Sequence, residues 1–355
     1  MTILKKSGVN IRDFTKRLPA PTIIIGAFWV FVLILGATQG LGLSMLISDA
    51  IRRFGMWGLM VLAMVPSVQS GTGPNFALPI GVVCGLIALV FAIELGLTGL
   101  SWLLVSIALA VIIAAAIGYF YGMLMNAVKG SEMTIATYAG FSVTFLACIL
   151  WLAFPFRSPV MGWMMGAGLR NTVELGQLGG AEIVNNFLAF DFMGVHVPTG
   201  MLLIVFGCCF IVWIFFRSKT GVAISAAGMN PMFAGASGLN VDAGRVKANM
   251  LSTILTAVGI IIYSQSYGFA ALYDAPLMMA FQAVAAVLIG GATARRAKIA
   301  NVLIGTLIFQ GLLANTPSVL GKAFPGTNLT EIMRMIVQNG IILYALTQVK
   351  GGEEN

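Results

Sequence analysis

The sequence predicts an all-α integral membrane protein of about ten transmembrane helices with both termini in the cytoplasm. Three observations predict it. Only 9% of the 355 residues are charged, against about 25% in an average soluble domain. Hydrophobic residues make up 59% of the chain and the mean hydropathy is +0.97. That leaves too little polar surface to coat a water-soluble globule, and it excludes disorder as well. The apolar residues also gather into ten runs, near the roughly 20 residues that a span needs. Their short connections leave no room for a large soluble catalytic domain.

In chain order, residues 1–19 carry Lys5, Lys6, Arg12, Lys16 and Arg17 ahead of an apolar run from Thr22 to Ala37. The run is long for a signal-peptide core and lacks a small-residue cleavage site, so it reads as an uncleaved first span behind a cytoplasmic segment. Further runs lie at 55–69, 76–95, 101–126, 134–154, 200–216, 249–267, 276–291, 300–315 and 331–347. The second and third are parted by Ser70-Gly71-Thr72-Gly73-Pro74-Asn75, which cannot continue a helix. Alternation puts Lys129, Arg217, Lys219, Arg245, Lys247, Arg295, Arg296, Lys298 and Lys350 inside with the five N-terminal charges. Arg52, Arg53, Arg157, Arg170, Lys322 and Arg334 fall outside, a division of 14 against 6 that favours this orientation. The net charge of +8 is therefore a topology signal, and nucleic acid is not among the expected partners. The resulting organisation is a cytoplasmic segment 1–19, a membrane domain 20–348 and a cytoplasmic tail 349–355.

Two connections exceed turn length. The outer one, 155–199, holds Pro155, Arg157, Pro159, Trp163, Arg170, Glu174, Glu182 and Asp191 and is expected to form a short surface helix or cap. The inner one, 217–248, contains Gly228-Met229-Asn230-Pro231-Met232-Phe233-Ala234-Gly235-Ala236-Ser237-Gly238. Asn230 suits an N-cap, Pro231 the first helical position, and Gly238 the left-handed residue after the last turn. Such a two-turn helix is unstable alone in water and must pack on the membrane domain or on a partner. Met232 and Phe233, apolar on a cytosolic loop, lean toward a partner.

Cys84, Cys148, Cys208 and Cys209 lie in apolar runs without Cys-x-x-Cys spacing and read as packing residues. His196 is the single histidine, so zinc and heme chemistry lose their ligands. No metal or catalytic residue is expected. Gly81 with Gly85, and Gly118 with Gly122, are spaced for close helix approach, within a subunit rather than between subunits.

The string from Gly228 through Val241 resembles the cytoplasmic loop of permease subunits in bacterial ATP-binding-cassette importers. The type is that of ribose, galactose and xylose, grouped with the branched-chain amino acid permeases. Ile135-Ala136-Thr137, the stretch Ala283 to Gly291, and Asn75 through Gly81 agree with it. The resemblance implies the ABC importer permease fold in a bacterial inner membrane. It also implies a second permease subunit, identical or paralogous, two cytosolic ATPase subunits and an extracytoplasmic solute-binding protein. By it, Asn230, Pro231, Met232, Phe233, Ala234, Gly235, Ala236, Ser237 and Gly238 form the coupling helix that follows closure of the ATPases. The chain itself has no Gly-x-x-x-x-Gly-Lys-Ser/Thr pattern, so it cannot cradle nucleotide phosphates through a P-loop. By the resemblance it is expected to be a transport subunit and not an enzyme, with no cofactor of its own and with ATP used by the partners.

For the translocation path we select polar residues at breaks and within spans, since polar groups in lipid need partners or water. They are Ser67, Gln69 and Asn75 at the break, Ser264, Gln265 and Tyr267 closing the seventh span, and Gln282 and Gln310. Amides and hydroxyls both donate and accept, which suits a small polar solute such as a monosaccharide or related sugar. Inter-helix hydrogen bonding is the competing use of the same residues. Three departures from the sugar-permease pattern stand out: Ala77-Leu78-Pro79-Ile80-Gly81 for an Asp-Leu-Ser-x-Gly motif, Gln282 for an acidic residue, and Ala292 to Lys298 for a Ser/Gly-rich turn. They leave a nucleoside or amino acid open as cargo, and a heterodimer open as the assembly. An ion-coupled secondary transporter would place ionisable groups deep in spans, whereas Glu94, Glu132 and Glu331 read as solvated end residues. Sodium coupling through carbonyls and hydroxyls stays open.

Overall fold

The computed structural model describes residues 19–158, 160–161, 172–323 and 329–351. The basic segment before Pro19, then Pro159, Trp163 and Arg170, and the last four residues lie outside them. Helix α1 (Ala20–Thr38) carries Pro21 in its first turn, where a missing N–H does no harm. Helix α2 (Leu43–Leu62) runs into α3 (Met64–Gln69) as one 27-residue segment. It begins at Leu43 and not near 55, because the charged turns before the apolar run remain helical once their side chains are paired. Arg52 donates to Glu182 Oε1 at 2.5 Å and to Ser266 O at 2.7 Å. The segment stops where expected: Gly71 and Gly73 take φ of +80° and +79°, a region that favours glycine.

There follow α4 (Leu78–Glu94), α5 (Gly99–Ala127) and α6 (Glu132–Ala153), then strand β1 (Thr172–Glu174), the four-residue α7 (Ile183–Asn186), β2 (Phe190–Phe192) and β3 (Val195–Val197). Next come α8 (Thr199–Arg217), α9 (Lys219–Met229), α10 (Pro231–Ala236), α11 (Val241–Tyr267), β4 (Phe269–Ala271), α12 (Ala275–Ile289), α13 (Ile299–Ala323) and α14 (Leu329–Gly351). Among the described residues, seven segments are long and apolar enough to cross a membrane, by length and composition: α1, α2 with α3, α5, α6, α8, α11 and α13. Helices α4 and α12 and residues 332–347 of α14 are shorter apolar helices. Together they occupy the ten expected runs.

Helix α4 is the centre. All its residues are buried except Ile87, Phe91 and Glu94, which is the environment that a helix apolar on every side requires. It packs on α5, α11, α12 and α6, while α13 packs on α2, α12 and α1. Between helices in lipid the water-driven gain is absent, so close fit carries the packing. Both glycine pairs serve it against one helix, α11. A Cβ at Gly81 would meet Thr253 O and Thr256, one at Gly85 Ala257 O and Ile260, one at Gly118 Met250 and Thr253, and one at Gly122 Val246. Their use is within the subunit. At α12 and α13 the approach is backbone to backbone, since a Cβ on Gly305 would lie 1.9 Å from Ala286 O.

The connection 155–199 is more than the expected surface helix or cap. β1 pairs antiparallel with β4, and β2 with β3 in a hairpin. Arg52 and Gln265 hold it to the end of the bundle: Glu182 N donates to Gln265 O at 2.7 Å and Val184 N to Gln265 Oε1 at 3.1 Å. Glu94 is not a free solvated end residue either, for its carboxylate accepts from the backbone N–H groups of Arg157 and Ser158. Glu331's side chain lies outside the described features.

Candidate functional site

Three polar side chains set the loop between α8 and α11. Ser218 caps α9 by accepting from Gly221 N, Asn230 caps α10 by accepting from Phe233 N at 3.0 Å, and Asn240 caps α11 by accepting from Ala243 N at 2.9 Å. Pro231 takes the first turn of α10, and Gly238 follows it with φ +80°. Leu239 N closes the end on Ala234 O at 3.0 Å. The helix rests on Ala234, which is buried, and presents Met232 and Phe233 at 87% and 69% exposure. Gly235 carries no neighbour within 4 Å of where a Cβ would sit.

The end of α9 that leads into α10 lies against the break between α3 and α4. Gly228, two residues before the Asn230 cap, touches it through backbone alone: a Cβ there would sit 2.1 Å from Gln69 O and 2.9 Å from Gly71 N. The Gln69 side chain makes a second link. Its Nε2 donates to Ala297 O at 2.8 Å, in the α12–α13 turn, and its Oε1 accepts from Ser225 Oγ at 3.0 Å, on α9. One glutamine therefore joins three segments.

Deeper in, a buried polar network ties the break to α5 and α11. Ser67 Oγ lies 3.0 Å from Thr72 Oγ1, 2.9 Å from Gly73 O and 3.3 Å from Asn249 Oδ1. Asn75 donates to Ser252 Oγ at 2.9 Å and accepts from Tyr121 Oη at 2.9 Å, while Ser252 donates to Ala63 O at 2.7 Å. One turn on, Arg245, only 7% exposed, donates to Glu132 Oε1 at 2.5 Å. Glu132 also accepts from Gly130 N, so it is half of a buried ion pair and not a solvated end residue. Such a pair holds its helices in register, because removing one partner strands the other charge. An exposed pair, Lys129 with Asp242 at 2.5 Å, flanks α10 and helps line a surface cleft of about 400 Å³ with Pro231 and Met232.

The eight polar residues selected for the path do not converge. Ser67, Gln69 and Asn75 belong to the network at the α10 end. Ser264, Gln265 and Tyr267 lie at the opposite end, where Gln265 is bonded to the long connection and Tyr267 stacks on Tyr263 and meets Phe269 edge-on. Gln282 is half-buried in α12 beside Phe281, whose ring packs on Phe76 and Phe141. Gln310, fully buried in mid-α13, has both amide atoms without a hydrogen-bond partner among the described residues, as does Thr306 Oγ1 one turn before it. The selection missed Thr72, Tyr121, Glu132, Arg245, Asn249 and Ser252. A signal for part of this set was available, since Arg245, Asn249, Ser252, Thr253 and Thr256 recur at helical spacing on one face of α11.

A family model described as branched-chain amino acid transport system / permease component matches residues 46–346. No curated protein and no solved structure matches the chain.

Proposed function

The chain belongs to the family of branched-chain amino acid transport system permease components, and from that premise we propose that it is the membrane subunit of an ATP-driven importer, worked from its α10 end. The observation that carries the proposal is the junction of the α9 end that leads into α10 with the break after α3. An exposed apolar helix tip, Met232 and Phe233, follows α9, which is joined through Gly228, Ser225 and Gln69 to the end of α3 and to the α12–α13 turn. A cytosolic ATPase that seats the tip in a cleft and then closes would move that junction as a rigid unit. Alternating access follows if the shift changes how α3 and α4 meet α11.

On this reading the 217–248 loop, residues 1–19 and 349–355 are cytoplasmic, and 155–199 faces outward in a bacterial inner membrane. The partners are two ATPase subunits that bind the ATP, a second permease chain and a solute-binding protein. For cargo, an uncharged polyol such as a monosaccharide is favoured over an amino acid. The stretch 275–294, which carries Gln282, has no charged residue, nor has 299–321 around Gln310, so these span interiors offer amides but no opposite charge to a free carboxylate or ammonium.

Phe233→Asp tests the reading on the chain co-purified with its ATPase in nanodiscs. The variant is expected to insert and fold normally, with substrate-stimulated ATP hydrolysis reduced tenfold or more, on the order of 1.4 kcal/mol of coupling or greater. Stimulation equal to wild type would remove α10 from the coupling role.

A further inference from the structure

We propose that the β2–β3 hairpin is a lipid-interface anchor, its apolar face lying in the headgroup–acyl boundary of the leaflet at that end of the bundle. The register pairs Phe190 with Val197, Asp191 with His196 and Phe192 with Val195. Strand alternation therefore puts Phe190, Phe192, Val195 and Val197 on one face and Asp191 and His196 on the other. The two faces differ sharply in chemistry. On the polar one, His196 Nδ1 sits 2.9 Å from Asp191 Oδ1. On the apolar one, Phe190 and Phe192 are 52% and 63% exposed, and Phe187 and Leu188 continue the exposed surface toward α8.

The turn points the same way. Met193 and Gly194 both have positive φ, +51° and +79°, the two-residue geometry in which Asn or Asp normally precedes glycine. Here a methionine, 86% exposed, holds that position. A large apolar side chain at a water-facing tip is unfavourable, and that exposure is relieved if the tip enters lipid.

The occupant follows from continuity and depth. The hairpin ends at Val197, two residues before α8, and Gly200 N bonds back to Phe187 O at 2.9 Å. Leu203, Phe206, Phe210 and Ile211 on α8 are exposed, as the lipid-facing side of a spanning helix would be. The 19 residues of α8 rise about 28 Å, close to the ~30 Å of a hydrocarbon core. Its far end carries Arg217 at 4.0 Å over the Trp213 ring, a pairing suited to the opposite interface. With that end fixed, Thr199 falls at the near boundary and the hairpin beside it. His196 N, bonded to Ser48 Oγ at 2.8 Å on α2, keeps the hairpin against the bundle.

The proposal rests on the membrane embedding of α8, and the test separates the two. Nitroxide labels are placed singly at 190, 191, 192 and 196, and at 203 and 210 on α8, in a chain with its four native cysteines replaced by alanine. Depth is read in nanodiscs of phosphatidylcholine and phosphatidylglycerol from accessibility to oxygen against a water-soluble nickel chelate. Labels at 190 and 192 are expected to favour oxygen several-fold over labels at 191 and 196. Nickel accessibility at 190 and 192 equal to that at 191, with 203 and 210 lipid-exposed, overturns the hairpin anchor alone. Nickel accessibility at 203 and 210 overturns the embedding of α8. As a check needing no substitution, the wild-type chain is photolabelled with a phospholipid carrying a headgroup-proximal diazirine. Adducts on Phe190, Phe192 or Met193 support the anchor. Their absence, with adducts on α8, rejects it and returns this face to a protein partner.

Discussion

At the scale of single residues, two buried side chains invite opposite experiments. Arg245 is paired with Glu132 through Nη2, although its Nε has no partner among the described residues, so Arg245→Met strands a carboxylate and is expected to cost about 3–5 kcal/mol. The double change Arg245→Met with Glu132→Leu should recover most of that loss, as thermal unfolding in detergent would show. A double variant as unstable as the single one would remove the pair from any role in registering α6 against α11. Gln310 is the reverse case, a buried amide with neither atom bonded among the described residues. Gln310→Met keeps the shape and removes the orphaned groups, whose burial costs about 1–3 kcal/mol. We expect a higher melting temperature together with slower uptake in proteoliposomes. A stability gain with unchanged uptake would assign Gln310 to packing and take it off the path.

At the scale of elements, the glycines are the joints. Gly228 has no room for a methyl group, because the obstruction is the backbone of Gln69 and Gly71 and not a side chain that could swing aside. Gly228→Ala should therefore push α9 from the break, costing about 1–3 kcal/mol. It should also raise ATP hydrolysis that is not matched by uptake, measured on the same reconstituted complex. Tight coupling in the variant would mean that the contact is packing alone. Much of this level was legible in the chain. Asn230, Pro231 and Gly238 are local signals and mark the helix within a residue or two, and the apolar runs mark the spans. The start of α2 was not legible, since Arg52 lies inside the helix by virtue of Glu182, 130 positions away. The pairing within the polar network was hidden for the same reason, although its members on α11 recur at helical spacing. Gln69 with Ala297 and Asn75 with Ser252 are contacts of distant sequence, and nothing near either residue reveals the other.

At the scale of the molecule, composition alone identifies a membrane bundle, while the arrangement of its helices depends on which faces find each other. The glycine spacings illustrate the divide: the pattern announces close approach, but only the fold reveals that all four glycines address α11. One consequence concerns biogenesis. Helix α4, the central helix, is covered in large part by α11 and α12, which begin at Val241 and Ala275. A ribosome adding about 5–20 residues per second reaches those helices only on the order of ten to thirty seconds after α4 has emerged. Through that interval α4 must wait in lipid with Gly81 and Gly85 uncovered, and a chain stopped after α8 would have α5 and α6 beside α4 but never α11 and α12. Nascent chains of this protein are thus clients for whatever shelters unpacked membrane segments, until the second half of the message has been read.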